Sequence, residues 1–173
     1  MDKEKIINSI RTISDFPVPG IQFKDITTLL MDADAFKDTI NILSNHFRGM
    51  SIDTILGIES RGFIFGAPIA LELNCPFAIA RKPGKLPGET ISIEYDLEYG
   101  TDKIEIHKDV INEHDKVLIV DDLIATGGTA KAVGKLVKSA GGIIASYAFL
   151  INLIDLKGED DLAPDPVFSV LNI

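Results

Sequence analysis

The chain has 173 residues, 46% of them apolar and 25% charged, with a formal net charge of −9. That is globular composition with enough chain for a sizeable core, read as a single domain over 1–173. The acidic balance argues against a nucleic-acid or membrane-surface protein, and no run approaches the ~18 apolar residues of a membrane span. Cys75 is the single cysteine; no intramolecular disulfide can form, which suits a reducing cytosol. No N-terminal apolar segment follows a basic stretch, so the expected location is cytoplasmic.

In chain order, Ile6, Ile7, Ile10 and Ile13 carry helical spacing over residues 3–13, which Pro17, Pro19 and Gly20 bring to an end in an irregular segment. Phe36, Ile40, Leu43 and Phe47 recur on one face of an amphipathic helix, with Gly49 as its stop. Residues 54–58 read as a buried strand, 63–73 as a helix and 76–80 as a second short strand. Residues 82–100 contain Pro83, Gly84, Pro87, Gly88 and Gly100 among many charges; a long polar segment of this kind is usually functional. Its middle, 90–95, alternates as a strand does. Ala130, Val133, Leu136, Val137 and Ala140 predict a helix ended by Gly141-Gly142, followed by strands over 143–153 and 167–171. Strands alternating with helices imply an α/β fold with a doubly wound, mostly parallel sheet.

The most informative stretch is Lys116–Thr129, Lys-Val-Leu-Ile-Val-Asp-Asp-Leu-Ile-Ala-Thr-Gly-Gly-Thr. Val117–Val120 is a short apolar run suited to a strand buried on both faces. Asp121 and Asp122 follow at its C-terminal end, and Ala125, Thr126, Gly127, Gly128 and Thr129 make a small-residue loop opening into a helix. Glycines allow close backbone approach to a ligand, and free amides at a helix N-terminus favour an anion. The threonine hydroxyls can donate to the same phosphate oxygens, and the carboxylates can accept from ribose hydroxyls. No Gly-Lys-Ser/Thr follows the glycines, and Gly-x-Gly-x-x-Gly is absent, so neither a nucleoside-triphosphate loop nor a dinucleotide fingerprint is present. A second polar cluster, Glu59-Ser60-Arg61-Gly62, follows the strand 54–58, and Arg61 offers a planar fork suited to phosphate. Arg81, Lys82 and Lys85 form a basic cluster in an acidic chain, which suits a specific anion site.

The 116–129 string resembles the phosphoribosyl pyrophosphate signature of type I phosphoribosyltransferases. From about residue 10 onward the chain is similar to the adenine-specific branch of that family. Phe16–Ile26 resembles its adenine-recognition segment, Glu59–Phe63 its pyrophosphate loop, and Arg81–Gly88 and Tyr95–Gly100 the two flanks of its mobile lid. Asn152-Leu153 and Leu156-Lys157-Gly158 resemble its C-terminal portion. The chain departs from the family in having Lys24 where arginine is frequent and Glu59 where aspartate is frequent. The resemblance implies a hood formed by about 10–30 with the C-terminal segment, a lid over about 82–100, a non-proline cis peptide at Glu59-Ser60, and a homodimer.

The reaction it implies joins adenine and phosphoribosyl pyrophosphate into AMP and pyrophosphate. N9 of the base displaces pyrophosphate from the anomeric carbon through an oxocarbenium-like state. Asp121, Asp122 and the 125–129 loop would hold the phosphoribosyl group and its 5-phosphate. Glu59, Ser60, Arg61, Lys82 and Lys85 would hold pyrophosphate, with Arg81 structural instead. Gln22 and Lys24 would pair through their backbones with the adenine edge, between Phe23 and Leu123. Glu98, beside Tyr99, would manage the proton on the purine's imidazole edge. Mg²⁺ is the expected cofactor, held mainly by substrate oxygens and water near Asp121 and Asp122, with no direct protein ligand required. The same fold acting on 6-oxopurines conflicts with the 16–26 and 97–100 segments. A non-catalytic regulator would need an appended DNA-binding module, for which there are no spare residues. Phosphoryl transfer through Asp121 lacks the further acidic and lysine groups it requires.

Overall fold

The structure is a computed structural model that describes residues 3–96 and 100–173. It divides into two compact units, Met1–His46 and Phe47–Ile173. In the first, helix α1 (Lys3–Ser9) is followed by a two-stranded antiparallel ribbon of β1 (Arg11–Ser14) and β2 (Gln22–Asp25), then helices α2 (Thr27–Met31) and α3 (Ala33–Phe47). The helical periodicity of 3–13 therefore breaks early. The Ser9 hydroxyl donates to the Ile6 carbonyl at 2.7 Å, and the β-branched pair Thr12-Ile13 finds strand partners in Lys24 and Phe23. Helix α2 lies in the segment read as irregular. It starts where the Asp25 carboxylate accepts from the Thr27 amide at 2.9 Å and from its hydroxyl at 2.7 Å, a local turn that propensity alone does not reveal. Asp32 accepts from the Ala35 amide at 3.0 Å at the start of α3.

The second unit is built on a five-stranded sheet of β3 (Thr54–Ile58), β4 (Phe77–Ala80), β7 (Lys116–Ile124), β8 (Ile143–Asn152) and β9 (Val167–Asn172). Its spatial order is β4-β3-β7-β8-β9 and every pairing is parallel. Helices α4 (Gly62–Leu73) and α5 (Gly128–Ser139) make the crossovers after β3 and β7. The predicted α/β class with a parallel sheet holds. A separate antiparallel hairpin pairs β5 (Thr90–Asp96), within the 82–100 segment, with β6 (Thr101–His107), which follows it. The core runs through Leu56, Ile58, Val117, Ile119, Val133, Val137, Tyr147 and Phe149. Among the described residues no helix is long and apolar enough to cross a membrane.

From β3 the chain steps outward to β4 on one side, then returns to β7 and steps through β8 and β9 on the other. The direction reverses between the neighbours β3 and β7. In an open parallel sheet that reversal leaves a crevice beyond the strand C-termini, where ligands bind. Both phosphate signatures follow these two strands.

Candidate functional site

Strand β7 is longer than its apolar run. Asp121 and Asp122 lie within it, because β8 offers backbone partners as far as Asn152. Successive side chains then point to opposite faces: Asp122 is buried and Asp121 keeps part of its surface accessible. Close packing around Asp121 pushes its carboxyl well above the usual range, and the neighbouring Asp122 charge adds to the shift. Across the crevice, Arg61 Nε lies 2.8 Å from Asp122 Oδ2. The two signatures, far apart in sequence, therefore meet directly. Gly62 makes this approach possible: a Cβ there would lie 2.5 Å from the Val120 carbonyl oxygen. The Glu59-Ser60 peptide is cis, as the resemblance implies.

Ala125, Thr126 and Gly127 form the loop between β7 and α5, and Gly128 and Thr129 open the helix. No side chain caps α5, so its N-terminal amides are not taken up by a capping side chain, as an anion site would require. Gly127 has φ +84°, and a Cβ on it would lie 2.5 Å from the Gly158 carbonyl oxygen. Gly158 is packed as tightly against the Ala125 carbonyl. The C-terminal Leu-Lys-Gly thus buttresses the loop, a role its sequence does not announce.

Three donors from residues 81–85 converge on Glu59, whose side chain is only 9% exposed. One carboxylate oxygen accepts from the Lys82 amide at 2.9 Å and from Arg81 Nε at 3.2 Å; the other pairs with Lys85 Nζ. Burial pushes the Glu59 carboxyl up, but these hydrogen bonds and the Lys85 and Arg81 charges outweigh it and hold the group below its ordinary value. Arg81 also exchanges backbone hydrogen bonds with buried Glu105, 2.9 and 2.8 Å, which fits the structural reading of Arg81. The Lys82 ammonium turns instead to Asp102, at 2.9 Å; this pair raises the lysine and lowers the aspartate. Asp102 faces Tyr95 across the hairpin, and the Tyr95 hydroxyl lies 3.4 Å from Thr129 Oγ1. Asp102 and Glu105 are not singled out by the sequence, because their partners are distant along the chain; Tyr95 and Gly158 fall within quoted motifs, but their contacts with Thr129 and with the 125–127 loop do not follow from those motifs.

Ser60 is exposed and Leu123 half-buried at the strand end. Gln22, Phe23 and Lys24 form β2 in the first unit. There the Phe23 ring meets Phe16 edge-on at 5.1 Å, Gln22 accepts from Ser14 at 3.0 Å and Lys24 donates to Thr12 at 3.1 Å. Glu98 and Tyr99 lie outside the described residues.

A strand, an acid pair, a glycine loop and a helix N-terminus lie together at the switch point of a parallel sheet, the arrangement expected of the phosphoribosyl transferase class. That domain family matches residues 26–171. The adenine phosphoribosyltransferase of Clostridium beijerinckii is 53% identical over 162 residues, 94% of each chain. The crystal structure of adenine phosphoribosyltransferase from Thermoanaerobacter pseudethanolicus superposes with a TM-score of 0.97 at 50% identity, covering 99% of this chain and 100% of the other. The Saccharomyces cerevisiae adenine phosphoribosyltransferase, complexed with an imino-altritol bisphosphate and adenine, gives 0.91 at 39% identity, covering 98% of each. The chain belongs to the phosphoribosyltransferase family and, within it, to the adenine phosphoribosyltransferases.

Proposed function

We propose that this enzyme transfers the 5-phosphoribosyl group of phosphoribosyl pyrophosphate to N9 of adenine, giving AMP and pyrophosphate in purine salvage. The observation that carries this reading is the Arg61–Asp122 contact at the sheet switch point, which joins the pyrophosphate loop to the acids beside the phosphate loop. The loop Ala125–Thr129 would bind the 5-phosphate through the α5 amides and the threonine hydroxyls, with Asp121 and Asp122 accepting from the ribose hydroxyls. Ser60, Arg61, Lys82 and Lys85 would receive pyrophosphate as the anomeric C–O bond breaks. Gln22, Phe23, Lys24 and Leu123 would bind the base, and Glu98 beside Tyr99 would take the N9 proton.

Mg²⁺ suits the donors present. Burial and the neighbouring Asp122 charge both raise the cost of ionising Asp121, and a hard cation nearby would offset that cost. When bound with the substrate phosphates it would neutralise the leaving group. A homodimer is supported by α4, which is apolar on nearly every face yet leaves Leu71 83% exposed. Its test is sedimentation: a monomer at micromolar concentration would refute it. The deciding experiment for the reaction is AMP formation against a purine panel with and without chelator. Comparable turnover of hypoxanthine or guanine, or full activity in excess chelator, would overturn the reading.

A further inference from the structure

We infer that Glu59 is a positioning residue, holding the 81–85 segment and its Lys85 ammonium in place for the leaving pyrophosphate rather than binding pyrophosphate itself. The inference rests on the pyrophosphate reading above and changes the role of one member of that set. A carboxylate facing pyrophosphate would repel it, and both Glu59 oxygens are already engaged. The side chain is nine-tenths buried, so its charge is directed inward onto three donors from one short segment: Arg81 Nε, the Lys82 amide and Lys85 Nζ. That segment is tied down independently. Arg81 Nη1 donates to the Lys85 carbonyl at 3.2 Å, and the Gly84 amide donates to Glu105 Oε1 at 3.1 Å. Glu59 directly follows β3, its amide donating to the Ala80 carbonyl at 2.9 Å, and immediately precedes Ser60 and Arg61, so one sheet edge positions both the pyrophosphate loop and the segment that carries Lys85. A lysine on a flexible stem loses side-chain entropy when it binds an anion; a lysine already held by a buried partner loses less.

The test uses the full-length enzyme run in reverse, AMP plus pyrophosphate, where the two substrates report on separate parts of the site. In Glu59→Gln the carboxamide can still accept from the Lys82 amide, but its NH₂ faces the Lys85 ammonium, donor against donor, and the lysine is released. Losing a charge-assisted contact predicts a rise in KM for pyrophosphate of about tenfold or more, while KM for AMP stays within about twofold. Glu59→Asp keeps the charge but shortens the reach by one methylene, and its KM should fall between wild type and Glu59→Gln. Lys85→Ala should raise KM for pyrophosphate similarly. If Glu59 acts through Lys85, the double variant should be no worse than Lys85→Ala alone, because the two changes remove one interaction. Equal rises in both KM values would mark a merely structural glutamate and overturn the inference. Additive effects in the double variant, or an unchanged or lowered KM for pyrophosphate in Glu59→Gln, would overturn it too. If Lys85→Ala and Arg61→Ala both left KM for pyrophosphate unchanged, the pyrophosphate site itself would be misassigned; a Lys85 effect without a Glu59 effect defeats the positioning role alone.

Discussion

Replacing Gly127 with alanine isolates the close approach on which the phosphate loop depends. Two costs follow from the structure. At φ +84° an L-residue sits in the left-handed region, at about 1–2 kcal/mol. The new Cβ would also lie 2.5 Å from the Gly158 carbonyl oxygen. That is backbone and cannot swing aside, so accommodation costs about 1–3 kcal/mol more by analogy with core overpacking. Gly127→Ala should thus lose about 2–5 kcal/mol in urea unfolding, and weaken AMP binding wherever the loop yields instead. Gly49→Ala is the control, because Gly49 has φ +88° and an added methyl would meet no atom within 4 Å; it should show the backbone cost alone. Equal losses in the two variants, with AMP affinity within about twofold of wild type in Gly127→Ala, would refute the buttress.

Glu98→Gln should lower kcat by about 10² or more in single-turnover experiments, where product release cannot mask chemistry; turnover within about twofold of wild type would remove Glu98 from the proton transfer. Asp25 accepts from Thr27 and then Arg11, and its carboxyl is lowered from 3.8 to about 2. A depressed folded pKa gives stability that is fully present above about pH 4 and lost as pH falls toward 2; Asp25→Asn should flatten the unfolding curve in that window, and an unchanged slope would count against the Arg11–Asp25–Thr27 cluster. Gly134→Ala would drive a methyl into the Tyr147 hydroxyl, so thermal unfolding should register a loss of about 1–3 kcal/mol, whereas a neutral result would mean that α5 can shift off β8.

The chain by itself determined the α/β class, the helices α3, α4 and α5 to within a few residues, and the positions of the two loops proposed to carry phosphate chemistry. These are local matters: apolar periodicity, β-branched runs and glycine placement act over a few positions. Asp121, Asp122 and the 125–129 loop could be named because strand, acids, glycines and helix are contiguous. Tertiary structure decided what contiguity cannot express. Propensity extends the first helix through Ile13, but pairing with β2 ends it at Ser9. The Arg61–Asp122 contact exists because β3 and β7 are neighbours in the sheet, and nothing local to either residue encodes that adjacency. Glu105 was silent for the same reason, and Gly158, though part of a quoted motif, gave no sign of its contact with the 125–127 loop, since each works through a partner far away along the chain. Glu59 could be assigned to the pyrophosphate loop from its motif, but the orientation of its carboxylate depends on β4 running alongside β3 and delivering Arg81 to its side.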